Sequence, residues 1–260
     1  LRKMHIGQIH AAALTSAGLS AIFGEMDVFQ IPFLFESHAE VDFVLAQMDA
    51  FFRKGFEKNN TILLGWSEGG FVRLMSTKPV ATLADLRKLK VWTWEDAPMT
   101  RLIFEEANVS AIPLSVPDVL VGLQTGLVDV VYAPPSGAIS LQWFTKTRYI
   151  TDVKLIYLIG GVVIKKKVFD KLTPAHQKIV MAVWQRQMIR LKQNIRRENQ
   201  EAMQVMVDQG IKIIVPSPDQ VTEFVTVSTK AIQRLEGKTF TKKIRDEVEA
   251  NIETYRKKNQ

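Results

Sequence analysis

Cysteine is absent from the 260 residues, which excludes disulfides and thiol chemistry while leaving the compartment open. A membrane-crossing run is missing too. The longest uncharged apolar stretch, Leu155 to Ile164, is far shorter than the roughly 20 residues that span a bilayer. No signal-peptide pattern is visible, so the chain reads as mature or trimmed. The four histidines, His5, His10, His38 and His176, lack metal-ligand spacing, and a structural or solvated role is expected of each. No phosphate-cradling glycine loop is present. Internal repeats, low-complexity segments and nucleic-acid-binding modules are also lacking. No cofactor is expected.

What is present describes an ordinary globular protein. Apolar residues make up 47% and charged residues 23%, and the length suits one large or two modest domains. The net charge of +7 is scattered over Lys165-Lys166-Lys167, Arg196-Arg197, Lys242-Lys243 and Lys257-Lys258. That scatter suits a solvated surface; attraction to an anionic membrane surface is the main alternative.

The chain is organised around residues 90–135, which read strand, helix, strand, helix, strand. Val91 to Trp94 is β-type. Asp96 can cap a helix over Pro98 to Ala107, with Met99, Leu102, Ile103 and Phe104 on its apolar face. Ala111 to Leu114 is a second strand. Ser115 and Asp118 resemble a capping box, and Gly126 suits the left-handed position past a helix end. Leu127 to Tyr132 is a strand that stops at Pro134-Pro135. In open α/β sheets, ligands bind where such strands end beside helix N-termini.

Around this unit, Ala11 to Leu14 reads as a buried strand and Val28 to Phe35, broken by Pro32, as a loop or edge segment. His38 to Phe56 suits a helix docked on a sheet. Thr61 to Trp66 and Phe71 to Met75 are extended, and Leu155 to Ile164 is a return strand bent at Gly160-Gly161. Thr173, Pro174 and Gly210 bracket one long helix over 173–209. It carries a near-continuous stripe of Val180, Trp184, Met188, Leu191, Ile195, Ala202 and Met206, and at 1.5 Å per residue the helix runs about 54 Å, longer than one small domain. Ile211 to Val215 is a strand, Asp219 to Leu235 a helix, and the tail from Glu236 a peripheral helical segment.

Several segments resemble, in order and spacing, the periplasmic solute-binding proteins of TRAP (tripartite ATP-independent periplasmic) transporters, dicarboxylate-binding class. They are Ile31-Pro32-Phe33-Leu34-Phe35, Thr77-Lys78-Pro79-Val80 with Ala84-Asp85-Leu86, Leu86-Arg87-Lys88-Leu89-Lys90-Val91, Pro113, Leu123-Gln124-Thr125-Gly126-Leu127-Val128-Asp129, and Phe169-Asp170-Lys171-Leu172-Thr173-Pro174. The resemblance runs from about Leu1 to about Leu235. It implies an α/β, two-lobed, type II periplasmic-binding-protein-like fold with mixed sheets, an inter-lobe cleft and a lobe-spanning helix. The expected division is 1–72 with 157–200 in lobe I and 73–156 with 201–260 in lobe II. It also implies capture of a ligand and delivery to TRAP-type permease subunits from the periplasm, in soluble or lipid-anchored form. The β-α-β unit that opens the family's fold is absent. Without it a sheet edge would stay unpaired, so residues ahead of Leu1 are expected to be missing.

Departures from the family bear on the ligand. The arginine usual two residues after the lysine of the Lys-Val step, a bidentate carboxylate fork, is Trp92 here. The arginine of the preceding strand becomes Phe71, with Arg73 two places on. Polar positions after the Gly-x-x-Asp become Val131, Tyr132 and Ala133. A cleft built from Phe71, Trp92, Trp94, Tyr132, Ala133, Pro134 and Trp143 would suit a hydrophobic or lipid-like ligand, since a carboxylate left unpaired there would cost several kcal/mol. Arg73, and then Arg101, are the fallback carboxylate partners. The plain alternative is that these aromatics fill a closed core.

Two other functions compete. Gly65-Trp66-Ser67-Glu68-Gly69 matches the hydrolase nucleophile elbow, but that motif needs a helix after it and a downstream histidine. The residues after it read as extended, and His176 sits in the first turn of a long helix. A non-transporting lipid carrier or scaffold on the same fold is the third reading. The sequence therefore predicts a binding protein, not an enzyme: esterase turnover of the wild type should be at background, and Ser67→Ala should not lower it.

Overall fold

The computed structural model describes residues 1–94 and 98–259. The chain opens with α1 (Arg2–His5), β1 (Ala11–Thr15), α2 (Ser16–Ser20), a 3-10 segment (Gly24–Gln30), α3 (His38–Lys58), β2 (Thr61–Phe71) and β3 (Arg73–Ser76). There follow α4 (Leu83–Leu86), β4 (Lys90–Thr93), α5 (Pro98–Glu106), β5 (Ser110–Pro113), α6 (Val116–Thr125), β6 (Val130–Ala133), α7 (Pro135–Ser140), a 3-10 turn (Trp143–Thr145) and β7 (Tyr149–Thr151). The chain ends with β8 (Tyr157–Lys165), α8 (Lys166–Phe169), α9 (Pro174–Asp208), β9 (Lys212–Ile214), α10 (Pro218–Leu235) and α11 (Lys242–Lys258). The expected Asp96 cap, and Glu95, lie outside the described residues.

Two sheets result. The first has the order β1-β8-β2 and is antiparallel throughout. The second has the order β5-β4-β6-β3-β7-β9 and is mixed. Its β4 runs parallel to β5 and β6, β3 runs antiparallel to β6 and β7, and β7 runs parallel to β9. Side chains alternate across the second sheet, as the pleat requires. Leu74, Val91 and Val130 enter a core closed by α4, α5 and Phe224, while Met75, Trp92 and Val131 enter one closed by α6, Trp143 and Met206.

The first sheet is likewise covered on both sides. Leu63, Ile159 and Val163 pack with Val41, Val44, Met48, Phe52 and Phe56 of α3. Leu64 and Val162 pack with Val180, Trp184 and Met188 of α9. Gly65 lets α9 approach, because a Cβ there would lie 2.6 Å from Met188 Cγ. Three segments join the sheets: Val72 between β2 and β3, residues 152–156 between β7 and β8, and α9. The first two pair like strands, with Leu155 N–H donating to the Val72 carbonyl at 3.0 Å and Val72 N–H to that of Ile156 at 2.9 Å.

Helix α9 is continuous. Thr173 caps it by accepting from His176 N–H at 3.3 Å, and Pro174 occupies its first turn. Its first half packs on the first sheet and Ala202 and Met206 are buried at its other end, although Leu191 of the expected stripe is exposed.

Several expectations need correction. Strand β1 is an edge strand with exposed and half-buried positions, not a buried one, since its run of alanines buries little area. Gly160 and Gly161 do not bend β8. They sit in register opposite Ser67 and Trp66, where a Cβ on Gly160 would lie 2.7 Å from the Leu14 carbonyl oxygen. Ser115 makes no side-chain cap to a backbone N–H; its hydroxyl donates to the Asp118 carboxylate instead. The left-handed Gly126, φ 69°, does end α6. The tail is not peripheral, nor does all of 201–260 pack with the second sheet. Phe240, Ile244, Val248 and Ile252 join the core of the first, where α11 lies on α3.

Trp92 is the largest fully buried side chain, and its indole N–H donates to the Leu114 carbonyl at 3.0 Å. Trp92→Ala should therefore cost about 3–5 kcal/mol of unfolding free energy, read from urea denaturation. Trp92→Arg should yield no folded protein.

Candidate functional site

The junction of the two sheets carries a cleft of about 320 Å³. His38 starts α3, Phe71 ends β2 and Arg73 opens β3. Lys154 lies in the second crossover, Pro135 starts α7, and Arg196 and Asn199 come from α9. Three of these residues are cations, and no carboxylate lines the cleft among the described residues.

Each cation is held differently. Arg196 is a fork between two carboxylates. Its Nη1 and Nη2 donate to Asp42 at 2.9 and 2.8 Å, and its Nε and Nη2 donate to Glu68 at 2.8 and 3.0 Å. Lys192 adds a 2.9 Å bond to Asp42. Burial opposes the charge on Arg196, but the two carboxylates outweigh it and raise its pKa further. Burial would likewise raise Asp42, yet the bonds from Arg196 and Lys192 hold its carboxyl below the usual range. Arg73 is ion-paired with Asp152. Lys154 has no carboxylate partner among the described residues. Its ammonium donates to the Glu36 carbonyl and lies 4.9 Å from the centre of the Phe71 ring. Lys154 is thus the cation least neutralised by its surroundings.

Two neutral groups complete the junction. His38 Nδ1 is hydrogen-bonded to the Tyr157 hydroxyl at 2.9 Å, and burial together with the Arg196 charge lowers its pKa. Burial and then the Glu68 charge keep the Tyr157 hydroxyl protonated. Asn199 ties the sheets together. Its Nδ2 donates to the Gly69 carbonyl at 2.8 Å, and its Oδ1 accepts from Ser136 N–H and Oγ, both at 3.0 Å. The left-handed Gly70, φ 93°, leaves it room, because a Cβ there would lie 2.7 Å from Asn199 Nδ2.

Of the residues that the sequence placed in the cleft, Phe71 and Arg73 line it. Ala133 pairs in register with Arg73, and Pro134 precedes α7, whose Pro135 reaches the cleft. Trp92 and Trp143 do not line it. They are buried against each other, ring centres 5.0 Å apart, so the closed-core alternative describes them. Tyr132 packs on Trp92 at 5.1 Å and lines a different cavity, and Trp94, 46% exposed, follows the end of β4. Arg101 pairs with Glu105 on α5 and is largely exposed. The sequence reading missed His38, Lys154, Arg196 and Asn199. One signal was available: Arg196 and Asn199 interrupt the stripe of α9 between Ile195 and Ala202 with inward-facing polar residues.

The elbow motif lies wholly inside β2, with Ser67 in register opposite Gly160. A residue in mid-strand cannot form the strand-to-helix turn that exposes a nucleophile. Among the described residues no metal-binding cluster occurs and no helix is long and apolar enough to cross a membrane.

Comparison with known proteins adds to this geometry. The family model described as bacterial extracellular solute-binding protein, family 7, matches residues 1–239. The 2,3-diketo-L-gulonate-binding periplasmic protein of Escherichia coli K12 is 26% identical over 200 residues, which is 76% of this chain and 60% of that protein. The chain thus spans well under two thirds of that relative's length. A TRAP periplasmic solute-binding protein from Ralstonia eutropha H16, solved with (S)-2-acetolactate, superposes with a TM-score of 0.90 at 19% identity, covering 97% of this chain and 82% of that one. One from Xanthobacter autotrophicus Py2, solved with β-D-galacturonate, gives 0.88 at 17%, covering 97% and 83%. At these identities the likeness shows a shared fold.

The pKa shifts at the junction carry a pH dependence. His38 is lowered, so the unfolded chain takes up a proton near pH 6.5 before the folded one does. Stability should fall as pH drops below that value. Asp42 is also lowered, so its contribution holds above its unfolded value of about 3.9 and is lost as pH falls through its lower folded one. Thermal melts from pH 8 to 3 should show both steps. His38→Gln should remove the upper step and Asp42→Asn should weaken the lower.

Proposed function

Since this chain belongs to the bacterial extracellular solute-binding proteins of family 7, we propose that it captures a small organic acid between its lobes and hands it to TRAP-type permease subunits in the periplasm. The observation that carries the ligand class is the cleft with three cations and no carboxylate. An apolar ligand would have to strip water from Lys154 and Arg73 without replacing their partners, which is costly. Two of the aromatics that favoured a hydrophobic ligand, Trp92 and Trp143, are inside the core. Phe71 remains at the cleft, beneath the Lys154 ammonium.

The charges also bear on how many carboxylates the ligand carries. Arg196 is matched by two acidic residues and Arg73 by one, whereas Lys154 is matched by none. One carboxylate on Lys154, with Arg73 beside it, balances the site. His38, Asn199 and Gln200 are suited to hydroxyl or carbonyl groups on the rest of the molecule. The relatives fit this reading, since their names and bound molecules include 2,3-diketo-L-gulonate, acetolactate and galacturonate. Their molecules are theirs; the balance of charges is what brings the class to this chain. Binding is the activity the family supports.

Calorimetry against monocarboxylic hydroxy and keto acids, uronates, C4-dicarboxylates and fatty acids tests the reading. A hydroxylated monocarboxylate should bind best. Lys154→Gln should weaken it about tenfold to a hundredfold, the worth of one charge-assisted hydrogen bond. Tight binding of a fatty acid with every small acid inert would overturn the proposal and restore the hydrophobic ligand.

A further inference from the structure

Behind the second sheet lies a separate cavity of about 100 Å³. Leu74, Leu86, Phe104 and Phe224 supply its walls, and both crossovers reach it, at Val72 and Leu155. Protein interiors hold few voids larger than a water molecule, and apolar voids stay dry and accept apolar guests. Two further observations set this cavity apart.

The first is Tyr132, which lines it. Its hydroxyl is buried and faces the hydroxyls of Thr93 and Thr100 and the backbone of Trp94, without making a hydrogen bond of good geometry among the described residues. Burial pushes its pKa up to about 12. A buried hydroxyl left in this state is costly and rare.

The second is Phe33, which forms part of the wall. It belongs to the Ile31–Phe35 segment that the sequence singled out and the cleft leaves unused. Its φ of 61° is a left-handed conformation that a bulky aromatic seldom adopts. The bond from its N–H to the Leu155 carbonyl, 2.7 Å, holds the loop there, and its ring packs on the second sheet's core. Such strain persists only where the surroundings enforce it, and it gathers at ligand clamps and switch regions.

We propose that this cavity is a second binding site, for a small apolar molecule bearing one hydroxyl or carbonyl group, with Phe33 as its outer wall. The polar group pairs with the Tyr132 hydroxyl and the hydrocarbon fills the void. A cavity of about 150 Å³ holds the six carbons of benzene, so a guest of about four or five heavy atoms, its oxygen included, matches this one.

Cyclobutanol is the probe, with cyclobutane as its apolar control, both titrated by ligand-observed NMR into the full chain. Saturable binding of cyclobutanol that Tyr132→Phe weakens about tenfold, with cyclobutane binding unchanged, supports the proposal. So does loss of both probes in Ser228→Leu, which fills the cavity from α10, and a shift toward the larger cyclohexylmethanol in Phe33→Ala. If Ser228→Leu does not fold by circular dichroism, the Tyr132→Phe comparison decides alone. No saturable binding by the wild type, or equal binding by the wild type and Tyr132→Phe, overturns the proposal. Displacement of cyclobutanol by galacturonate or acetolactate also overturns it, by placing the alcohol in the cleft.

Discussion

A buried carboxylate must find a cation, and in this molecule that requirement fixes the relation of the parts. Glu68 lies in the middle of β2 with 5% of its side-chain surface exposed. Left unpaired there, its charge would be costly to bury. Arg196 meets it from α9 and reaches on to Asp42 of α3, so one guanidinium sets the height of a 35-residue helix against the first sheet. Asn199, one turn further along, then falls between Gly69 and Ser136. The second sheet is held at a set distance from the first because the helix cannot slide. A buried ion network of this kind is weak evidence for stability but good evidence for register.

The fold was legible wherever a local rule acted alone. The β-α-β pattern of residues 90–135 and the bracketing of α9 by Thr173 and Pro174 are written in a few residues each. The interior of the first sheet was harder to read. Gly160-Gly161 and the Gly65 to Gly69 run look like bends or an elbow, because glycine usually marks a turn. Here they lie inside strands, crowded by neighbours distant in sequence, with shifts of register beside Gly65 and Gly69. The tail looked peripheral because its composition is polar, yet Ile244, Val248 and Ile252, at helical spacing, seat it on α3.

The site was legible only in part, for a reason of direction. Phe71 and Arg73 sit beside a crossover, where either face of a strand can meet the cleft. Trp92 lies in β4 and Trp143 in the 3-10 turn packed against it, and which face a strand side chain takes depends on register, which the sequence pattern does not state. Lys154 carries no motif at all. It is one lysine among many until the crossover places it over Phe71, with no ion-pair partner among the described residues. A reading based on lost arginines therefore inferred an apolar cleft, whereas the fold brings Arg73, Lys154 and Arg196 to the junction from other segments.

The first sheet is assembled from strands that lie on either side of the whole second lobe in the chain. Strands β2 and β8 pair along nearly their full lengths, yet everything from β3 to β7 is threaded between them. The parallel units from β4 to β6 close short loops, and those strands can find one another early. The ladder of β2 with β8 must close a long loop before it forms, as must that of β7 with β9, which costs entropy and slows formation. Until then β1 and β2 are unpaired edges beside an open apolar surface. In kinetic terms, the sheet that opens the chain waits for a partner from the chain's second half.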